Sequence, residues 1–281
     1  MKKRISMFWA QGEAGAPEIV RRCWDAWARL NPGWSLEIRS DADAGAAFDA
    51  LGLAHAPETF QGRADVIRVQ DIAAHGGVYV DCGTIPCRPL DDWLEPLMEE
   101  GFFAFHDPYR RRPIENWFLA ATPGHPLAEG WLAEMRRYWD RPRRPQAQRR
   151  ELDRGGKGAL ACSLAGLRAA PRSKRVLEPK DRVWSVHPEG GAQRPVHPYF
   201  WPHYLFALRL QQAPDFREAW ARVPKRPSYE NLMVRHWKRD YATMSDTELR
   251  SLLGAPMQKL SLKSVPKPPH LDMIFEAAEQ G

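Results

Sequence analysis

The apolar residues near the start of the chain predict two strands with a helix between them. Residues 5–9 form a short apolar run that is typical of a buried strand, and residues 34–39 alternate as a second strand. The helix is predicted by apolar residues that recur at helical spacing, namely Ile19, Val20, Cys23, Trp24, Trp27 and Leu30. This β-α-β opening predicts an α/β protein, and it is the unit that a nucleotide-binding half-domain needs.

Residues 62–90 carry the strongest pattern in the chain. Their apolar positions predict a helix that the glycine pair 76–77 ends, followed by a short buried strand at 78–80. Asp65 is expected near the helix start, where a carboxylate suits the positive end of the helix dipole. The strand delivers Asp81 to its C-terminal end, and open α/β sheets bind ligands just outside that end. The pattern therefore predicts a ligand or metal site at Asp81.

The rest of the chain is predicted to hold shorter elements. Regular structure is expected to stop at Pro86 and Pro89. The predicted strands are 102–105, 115–121, 176–177 and 183–186. The predicted helices are 126–139, 160–167, one that follows an aromatic turn at 197–203, and one through 216–223.

Residues 141–157 differ from their surroundings because they are rich in arginine and have Pro and Gly at both ends. We expect an exposed loop here, either a mobile element over the site that contacts a polyanion or a solvated loop. The segment has little aromatic interleaving, so a nucleic-acid partner is not expected.

The composition is that of a globular protein and limits the choice of partner only broadly. The 281 residues are enough for one large α/β domain or two small ones, with 43% hydrophobic and 27% charged residues. A net charge of +6 suits nucleotide diphosphates, acidic glycans or membrane surfaces. The twelve tryptophans are core filler or, for a few, stacking surfaces for sugars or bases.

Cysteine spacing and hydropathy bear on the compartment. The four cysteines have no zinc-type spacing, which favours free thiols in a reducing compartment. The apolar run at the N-terminus is too short for a signal peptide, and no segment approaches the ~20 apolar residues of a membrane span. We therefore expect a cytoplasmic protein, either free or attached loosely to the inner membrane face.

Motifs around Asp81 resemble the DXD-type sugar-transferase region of retaining glycosyltransferases with a GT-A fold. The matching features are Asp65-x-x-Arg68, the glycine pair, Tyr79 before Asp81, and the segment TIPCRPL at 84–90. The bacterial capsular polysaccharide synthesis family is the most similar branch. The usual Asp-x-Asp stands here as Asp81-Cys82-Gly83, so the second acid is missing. This sequence resembles the capsular family in that respect, because a single Asp followed by small residues and Thr is a usual form of the motif there.

The resemblance runs from about Ile5 to about Lys263. It implies one GT-A-like domain over residues 1–263, with a Rossmann-like mixed sheet flanked by helices and with the basic loop 141–157 inserted. Residues 264–281 are then a C-terminal tail. The sequence shows no G-x-S-x-G, H-E-x-x-H or G-x-G-x-x-G motif in the required context, so other catalytic classes find no support.

The resemblance implies that four residues bind the donor sugar. Asp65 and Arg68 would hold the sugar hydroxyls from one face of the helix. Asp81 would reach the ribose or the sugar, together with a cation. Asn116 opens an element that lies beside the donor sugar in the family; the alternative is a turn or capping asparagine.

The resemblance also implies contacts to the nucleotide and a metal. The nucleotide residues would be Phe8, Trp9, Gln11, Gly77, Tyr79, Lys259 and Lys263. Trp9 lies either over the base or in the core. His203 either completes a metal or pyrophosphate site or is a satisfied core residue. Mn²⁺ or Mg²⁺ would be bound weakly by the protein through Asp81, and the nucleotide diphosphate would provide most of the ligands. In the metal-free alternative, Lys259, Lys263 or an arginine of the basic loop supplies the positive charge instead.

The implied function is transfer of a hexose from a nucleotide-sugar donor to a glycan, polysaccharide or lipid-linked oligosaccharide in surface polysaccharide biosynthesis. Family members keep the anomeric configuration, and this chain has no obvious covalent nucleophile. A front-face substitution would need none. The competing hypothesis is a non-catalytic nucleotide- or glycan-binding module derived from the same fold.

Overall fold

A computed structural model describes residues 2–107, 112–146, 183–232, 247, 254–262, 272 and 274–276. Their strands are β1 (Arg4–Phe8), β2 (Ser35–Arg39), β3 (Gly77–Val80), β4 (Thr84–Pro86), β5 (Phe102–Ala104), β6 (Phe118–Ala121), β7 (Arg144–Pro145), β8 (Val196–His197) and β9 (Met257–Lys259). Their helices of at least two turns are α1 (Glu18–Leu30), α2 (Asp41–Leu51), α3 (Phe60–His75), α4 (Pro126–Tyr138), α5 (Trp201–Gln212) and α6 (Pro214–Arg222).

The central sheet has five strands in the order β2-β1-β3-β6-β5. β1 runs parallel to β2 and β3, whereas β6 is antiparallel to both β3 and β5. Two smaller pairs lie outside it, an antiparallel β4-β9 pair and a parallel β7-β8 pair. The predicted α/β class with a mixed sheet flanked by helices is confirmed. The narrower GT-A assignment stays a prediction.

Helices cover both faces of the sheet because adjacent strand residues point to opposite sides. Val78 packs with Met7 and Trp27 of α1 in one core cluster. Its neighbour Tyr79 packs with Ile72 of α3, and with α4, in a second cluster. β3 therefore lies between two hydrophobic cores, and residues 78–80 at its C-terminal end are buried in them.

α3 begins earlier than the sequence pattern predicts. The side chain of Thr59 caps it by accepting a hydrogen bond from the Gly62 amide at 3.1 Å, so the helix starts at Phe60. Asp65 therefore lies in the second turn, and the prediction that it sits near the helix start is wrong. Gly76 ends the helix as predicted, with a φ of 68° that favours glycine.

The structure adds one strand and changes the type of one predicted element. Residues 84–86 form β4 because β9 pairs with them in antiparallel register, and this strand ends at Pro86, where regular structure was expected to stop. Residues 183–185 form a 3-10 turn instead of a strand. The predicted elements at 160–167 and 176–177 lie outside the described residues.

The basic segment 141–157 is described only as far as residue 146. Arg143 is buried, with 3% of its surface exposed, and donates hydrogen bonds to the carbonyls of Tyr138 (2.7 Å) and Arg194 (2.8 Å). Arg144 is exposed. The prediction of an exposed loop is therefore wrong at Arg143, which ties the end of α4 to the segment before β8.

The division at residue 263 stays a prediction, and Lys263 lies outside the described residues. Ile274 and Phe275 are buried, and Arg22 of α1 contacts Asp272 at 2.7 Å. Among the described residues, no helix combines the length and the apolar character that crossing a bilayer requires.

Candidate functional site

One edge of the central sheet opens into a cavity of about 420 Å³. β1 and β3 are parallel and β6 is antiparallel to β3, so the C-terminal ends of β1 and β3 meet the N-terminal end of β6 there. The residues that the sequence assigned to the site and that line the cavity are Phe8, Trp9, Gln11, Asp65, Arg68, Tyr79, Asp81, Asn116, His203 and Lys259. The topology thus brings together positions that are far apart in sequence.

Gly77 is the assigned residue that the structure places elsewhere. It begins β3, at the opposite end of the strand from Asp81, and does not line the cavity. Its φ is +88°, and an added Cβ would lie 2.6 Å from the carbonyl oxygen of Arg4. Gly77 therefore permits the close approach of β3 to β1, which corrects its assignment to the nucleotide.

Arg68 is the centre of the polar network in the cavity. Its Nη2 lies 3.3 Å from Asp81 Oδ1 and 3.5 Å from Asp65 Oδ1. Its Nη1 donates to the Asn116 carbonyl at 2.8 Å. Asn116 Nδ2 in turn donates to Asp65 Oδ1 at 2.8 Å. α3 and the ends of β3 and β6 are therefore joined by one connected set of ion pairs and hydrogen bonds.

Two further contacts, to the Ala64 carbonyl and to the Tyr79 ring, hold the Arg68 side chain. Its Nε donates to the Ala64 carbonyl at 3.0 Å, and its guanidinium lies 5.1 Å from the centre of the Tyr79 ring. Burial by itself opposes the charge, but Asp81, Tyr79 and Asp65 outweigh it and raise the pKa of Arg68 above its ordinary value. Arg68 is thus a permanent buried cation.

Asp65 has an unusual acidity for an aspartate. Its side chain is only 14% exposed, and this burial raises its pKa to about 6. Arg68 and the hydrogen bond from Asn116 act in the opposite direction, while the charge of Asp81 adds to the rise. A carboxylate held in a cleft at a cost in free energy is typical of a functional site.

Asp81 is bound by a second cation that comes from the far end of the described chain. The pairing of β9 with β4 sets Lys259 opposite Thr84, and Lys259 Nζ donates to Asp81 Oδ2. The Lys259 ammonium also lies 5.4 Å from the centre of the Trp117 ring. The sequence identified Lys259 as a candidate phosphate contact. No periodicity in the sequence indicated the β4–β9 pair that brings Lys259 to Asp81.

The expected Mn²⁺ or Mg²⁺ does not fit the residues present. Asp81 already contacts Arg68 through one oxygen and Lys259 through the other. A Cβ at Gly83, where the second acid would stand, would lie 3.1 Å from the side chain of Leu262. Within the described parts of the chain, no group of three or more His, Cys, Asp or Glu residues could hold a metal ion.

His203 occupies the cavity wall as a neutral side chain. It is 5% exposed, and neither ring nitrogen has a hydrogen-bond partner among the described residues. Burial lowers its pKa well below the ordinary value, and the charges of Arg112, Arg68 and Lys259 act in the same direction. Buried polar groups usually have partners, so these nitrogens are suited to hydrogen-bond a ligand. The alternative prediction, a core histidine whose ring nitrogens are hydrogen-bonded within the protein, does not agree with this geometry.

Several residues that line the cavity were not predicted from the sequence. Arg112 Nη2 lies 2.6 Å from Glu115 Oε1 and 2.9 Å from Asp107 Oδ2, so the segment before β6 is braced by buried ion pairs. Phe60 and Tyr199 stand at the cavity with 51% and 49% of their surfaces exposed. The pairing of residues 107 and 112 depends on a local bridge that no sequence pattern indicated.

Comparisons with known proteins find similarity to proteins that carry glycosyltransferase names. The model of the family "Capsular polysaccharide synthesis protein" matches residues 59–146, which include α3, Asp81 and Asn116. The O-glycosyltransferase braB of Annulohypoxylon truncatum is 26% identical over 163 residues, which are 49% of this chain and 38% of that protein. The putative glycosyltransferase HOC1 of Saccharomyces cerevisiae is 24% identical over 141 residues, 42% of this chain and 35% of that protein.

These matches span less than two fifths of the curated relatives' own lengths. Among solved structures, the PaToxG glycosyltransferase covers 99% of this chain and 86% of its own, at 13% identity and a TM-score of 0.39. A likeness at that score does not establish a shared fold. The family match falls on the segment that carries the Arg68 network, and both curated relatives bear glycosyltransferase names. The resemblance to a glycosyltransferase family of the capsular polysaccharide synthesis kind is thereby confirmed, with residues 59–146 as the segment that matches the family model.

Proposed function

We propose that this protein transfers a hexose from a nucleotide-sugar donor to a glycan acceptor in the cavity at the sheet edge. The observation that carries the proposal is the connected network of Asp65, Arg68, Asp81 and Asn116. It supplies hydrogen-bond acceptors and donors at fixed positions in a partly enclosed cavity. A hexose presents several hydroxyls that need both kinds of partner, and such a network matches them.

The donor sugar is placed against Asp65 and Asn116. An ionised Asp65 accepts hydrogen bonds from sugar hydroxyls, while Arg68 donates to a further hydroxyl or to the diphosphate. The nucleoside lies towards the end of β1, where Phe8 and Trp9 line the cavity and provide an aromatic surface for the base. The donor therefore bridges β1 and α3 across the end of β3.

The reaction breaks the bond between the sugar C1 and the oxygen of the leaving diphosphate. That oxygen keeps the electron pair, and the acceptor oxygen forms the new bond to C1. The acceptor hydroxyl gives its proton to the same leaving oxygen, so a front-face substitution retains the anomeric configuration. This route requires no protein nucleophile, and it requires a fixed positive charge near the diphosphate, which Arg68 and Lys259 provide.

The acceptor enters where Phe60 and Tyr199 stand exposed at the cavity, since aromatic rings stack on sugar faces. We place the acceptor among glycans and lipid-linked oligosaccharides of surface polysaccharide synthesis. The corresponding location is the cytoplasm, with peripheral contact to the membrane. The positive net charge of the chain is consistent with anionic partners of this kind.

The test is turnover of a panel of nucleotide sugars by the purified protein, measured as release of the nucleoside diphosphate with and without oligosaccharide acceptors. Asp65→Asn and Arg68→Ala should each lower kcat/KM by roughly a hundredfold or more, because each removes a charged contact. Asp49→Asn, an exposed carboxylate on α2, is the matched control and should have no effect. Full activity in both site variants would place the sugar elsewhere.

The second candidate function is a non-catalytic nucleotide- or glycan-binding module. The observation that favours it is the missing second acid at Gly83, whose place is filled by Leu262. The same panel separates the two candidates. Binding of a nucleotide sugar without transfer to any acceptor, and without even slow donor hydrolysis, would identify the module.

A further inference from the structure

Asp81 stands where the resemblance expects a metal ligand, yet both of its carboxylate oxygens face protein cations. Arg68 Nη2 lies 3.3 Å from Oδ1, and Lys259 Nζ donates to Oδ2. Arg68 is fixed by the Ala64 and Asn116 carbonyls. A divalent cation at Asp81 would therefore have to displace a lysine ammonium and would lie beside a buried guanidinium. Both effects oppose metal binding.

The structure also fills the space around the expected metal. The side chain of Leu262 lies against Gly83, 3.1 Å from where a Cβ would be. The Leu260 amide donates to the Gly83 carbonyl at 2.7 Å, which occupies a backbone oxygen at the same place. The other cavity carboxylate, Asp65, is bound by Asn116 and Arg68. A hard cation needs several oxygen ligands, and these are already engaged.

We propose that the site binds the diphosphate without a metal, with the Lys259 ammonium on β9 standing in the place of the divalent cation. This inference rests on the proposed function, because it names the counter-charge of the same donor. The Lys259 ammonium donates hydrogen bonds to the diphosphate before and after the sugar leaves. Asp81 holds the ammonium in position and is a positioning residue in this scheme.

The chemistry of the ammonium suits this task. It is a compact charge with three donors, so it can keep one bond to Asp81 while donating to phosphate oxygens. It lies on a strand whose pairing with β4 is set by backbone hydrogen bonds, so the charge is positioned before the donor arrives. A preorganised charge stabilises the developing negative charge of the leaving group without reorganisation.

The experiment measures binding of UDP, GDP, ADP and CDP by isothermal titration calorimetry, in excess EDTA and again with Mn²⁺. The variants are Lys259→Met and Lys259→Arg. The matched control is Lys3→Met, because Lys3 also pairs with an aspartate, Asp91, but lies exposed on the surface. Electron paramagnetic resonance of Mn²⁺ in the presence of wild-type protein measures metal binding directly.

The expected result is a Kd for the bound nucleotide that agrees within about threefold in EDTA and Mn²⁺, with weakening of roughly tenfold or more in Lys259→Met, as for loss of one charge-assisted hydrogen bond. Lys259→Arg should keep part of the affinity. Binding that requires Mn²⁺, or unchanged affinity in a folded Lys259→Met variant, would overturn the inference and leave the proposed function standing. If no nucleoside diphosphate binds under either condition, the proposed function fails with it. Should Lys259→Met not fold, the wild-type comparison in EDTA and Mn²⁺ decides alone.

Discussion

Replacing Asp65 by asparagine should make the folded protein more stable at neutral pH while it lowers activity. Burial raises the pKa of Asp65 from the ordinary 3.8 to about 6. A difference of about two pKa units corresponds to about 3 kcal/mol of free energy that the folded state spends on keeping this group ionised. An asparagine has the same shape, and its amide oxygen can still accept the hydrogen bond from Asn116.

The stability gain of Asp65→Asn should depend on pH. Between pH 3.8 and about 6, the folded wild type binds more protons than the unfolded chain, so its stability falls as the pH rises through that window. The variant has no carboxyl to titrate at this position. Its advantage should therefore be about 3 kcal/mol near pH 7.5 and only about 0.5 kcal/mol near pH 4.

Urea denaturation followed by tryptophan fluorescence measures both quantities, since the chain has twelve tryptophans. Asp49→Asn on α2 is the control, because this carboxylate is exposed and should show no such pH-dependent gain. The reasoning is refuted if Asp65→Asn is less stable than the wild type at neutral pH. That result would mean that the attraction of Arg68 outweighs the effect of burial.

Three further predictions follow from the structure. His203→Phe should fold with unchanged or higher stability, because it removes a buried polar ring without partners among the described residues. If the ring binds substrate, the variant should have a kcat/KM that is lower by roughly tenfold. Unchanged kinetics would contradict that role. Arg143→Ser should lower the free energy of unfolding by about 1–3 kcal/mol, because it removes two hydrogen bonds of a buried side chain. The control Arg144→Ser should change it by less than about 0.5 kcal/mol. Urea denaturation measures both values. Gly83→Asp should change the free energy of unfolding by less than about 1 kcal/mol, because the Leu262 side chain that the new Cβ meets at 3.1 Å is 41% exposed and can move aside. Calorimetry should detect no gain in Mn²⁺ affinity, and tight Mn²⁺ binding would contradict this.

Local patterns predicted the elements whose signals are local. The apolar runs located β1 and β3, and Gly76 ended α3 because its positive φ is a property of one residue. The candidate site followed from the same logic, since a strand exit fixed the place of Asp81 and helical spacing placed Arg68 one turn from Asp65.

Features that depend on distant pairing could not be predicted in the same way. β4 exists because β9 pairs with it, and one of the two hydrogen bonds that Arg143 donates goes to the distant Arg194 carbonyl. The space beside Gly83 is filled by Leu262, which is far away in sequence. In each case a tertiary contact decides the outcome, and the local pattern carries no trace of it.

The β4–β9 pair has a consequence for how the site comes into being during synthesis. The residues of the Arg68 network all lie before position 117, whereas the lysine that pairs with Asp81 emerges from the ribosome more than a hundred residues later. A nascent chain can therefore pack its sheet around an Asp81 that still lacks the Lys259 charge. Closing so long a loop is slow compared with forming local helices, so the β4–β9 pairing should form after the local helices and add the Lys259 charge to the site. In a newly made protein, Asp81 would thus lack its lysine partner until residues 257–259 have left the ribosome.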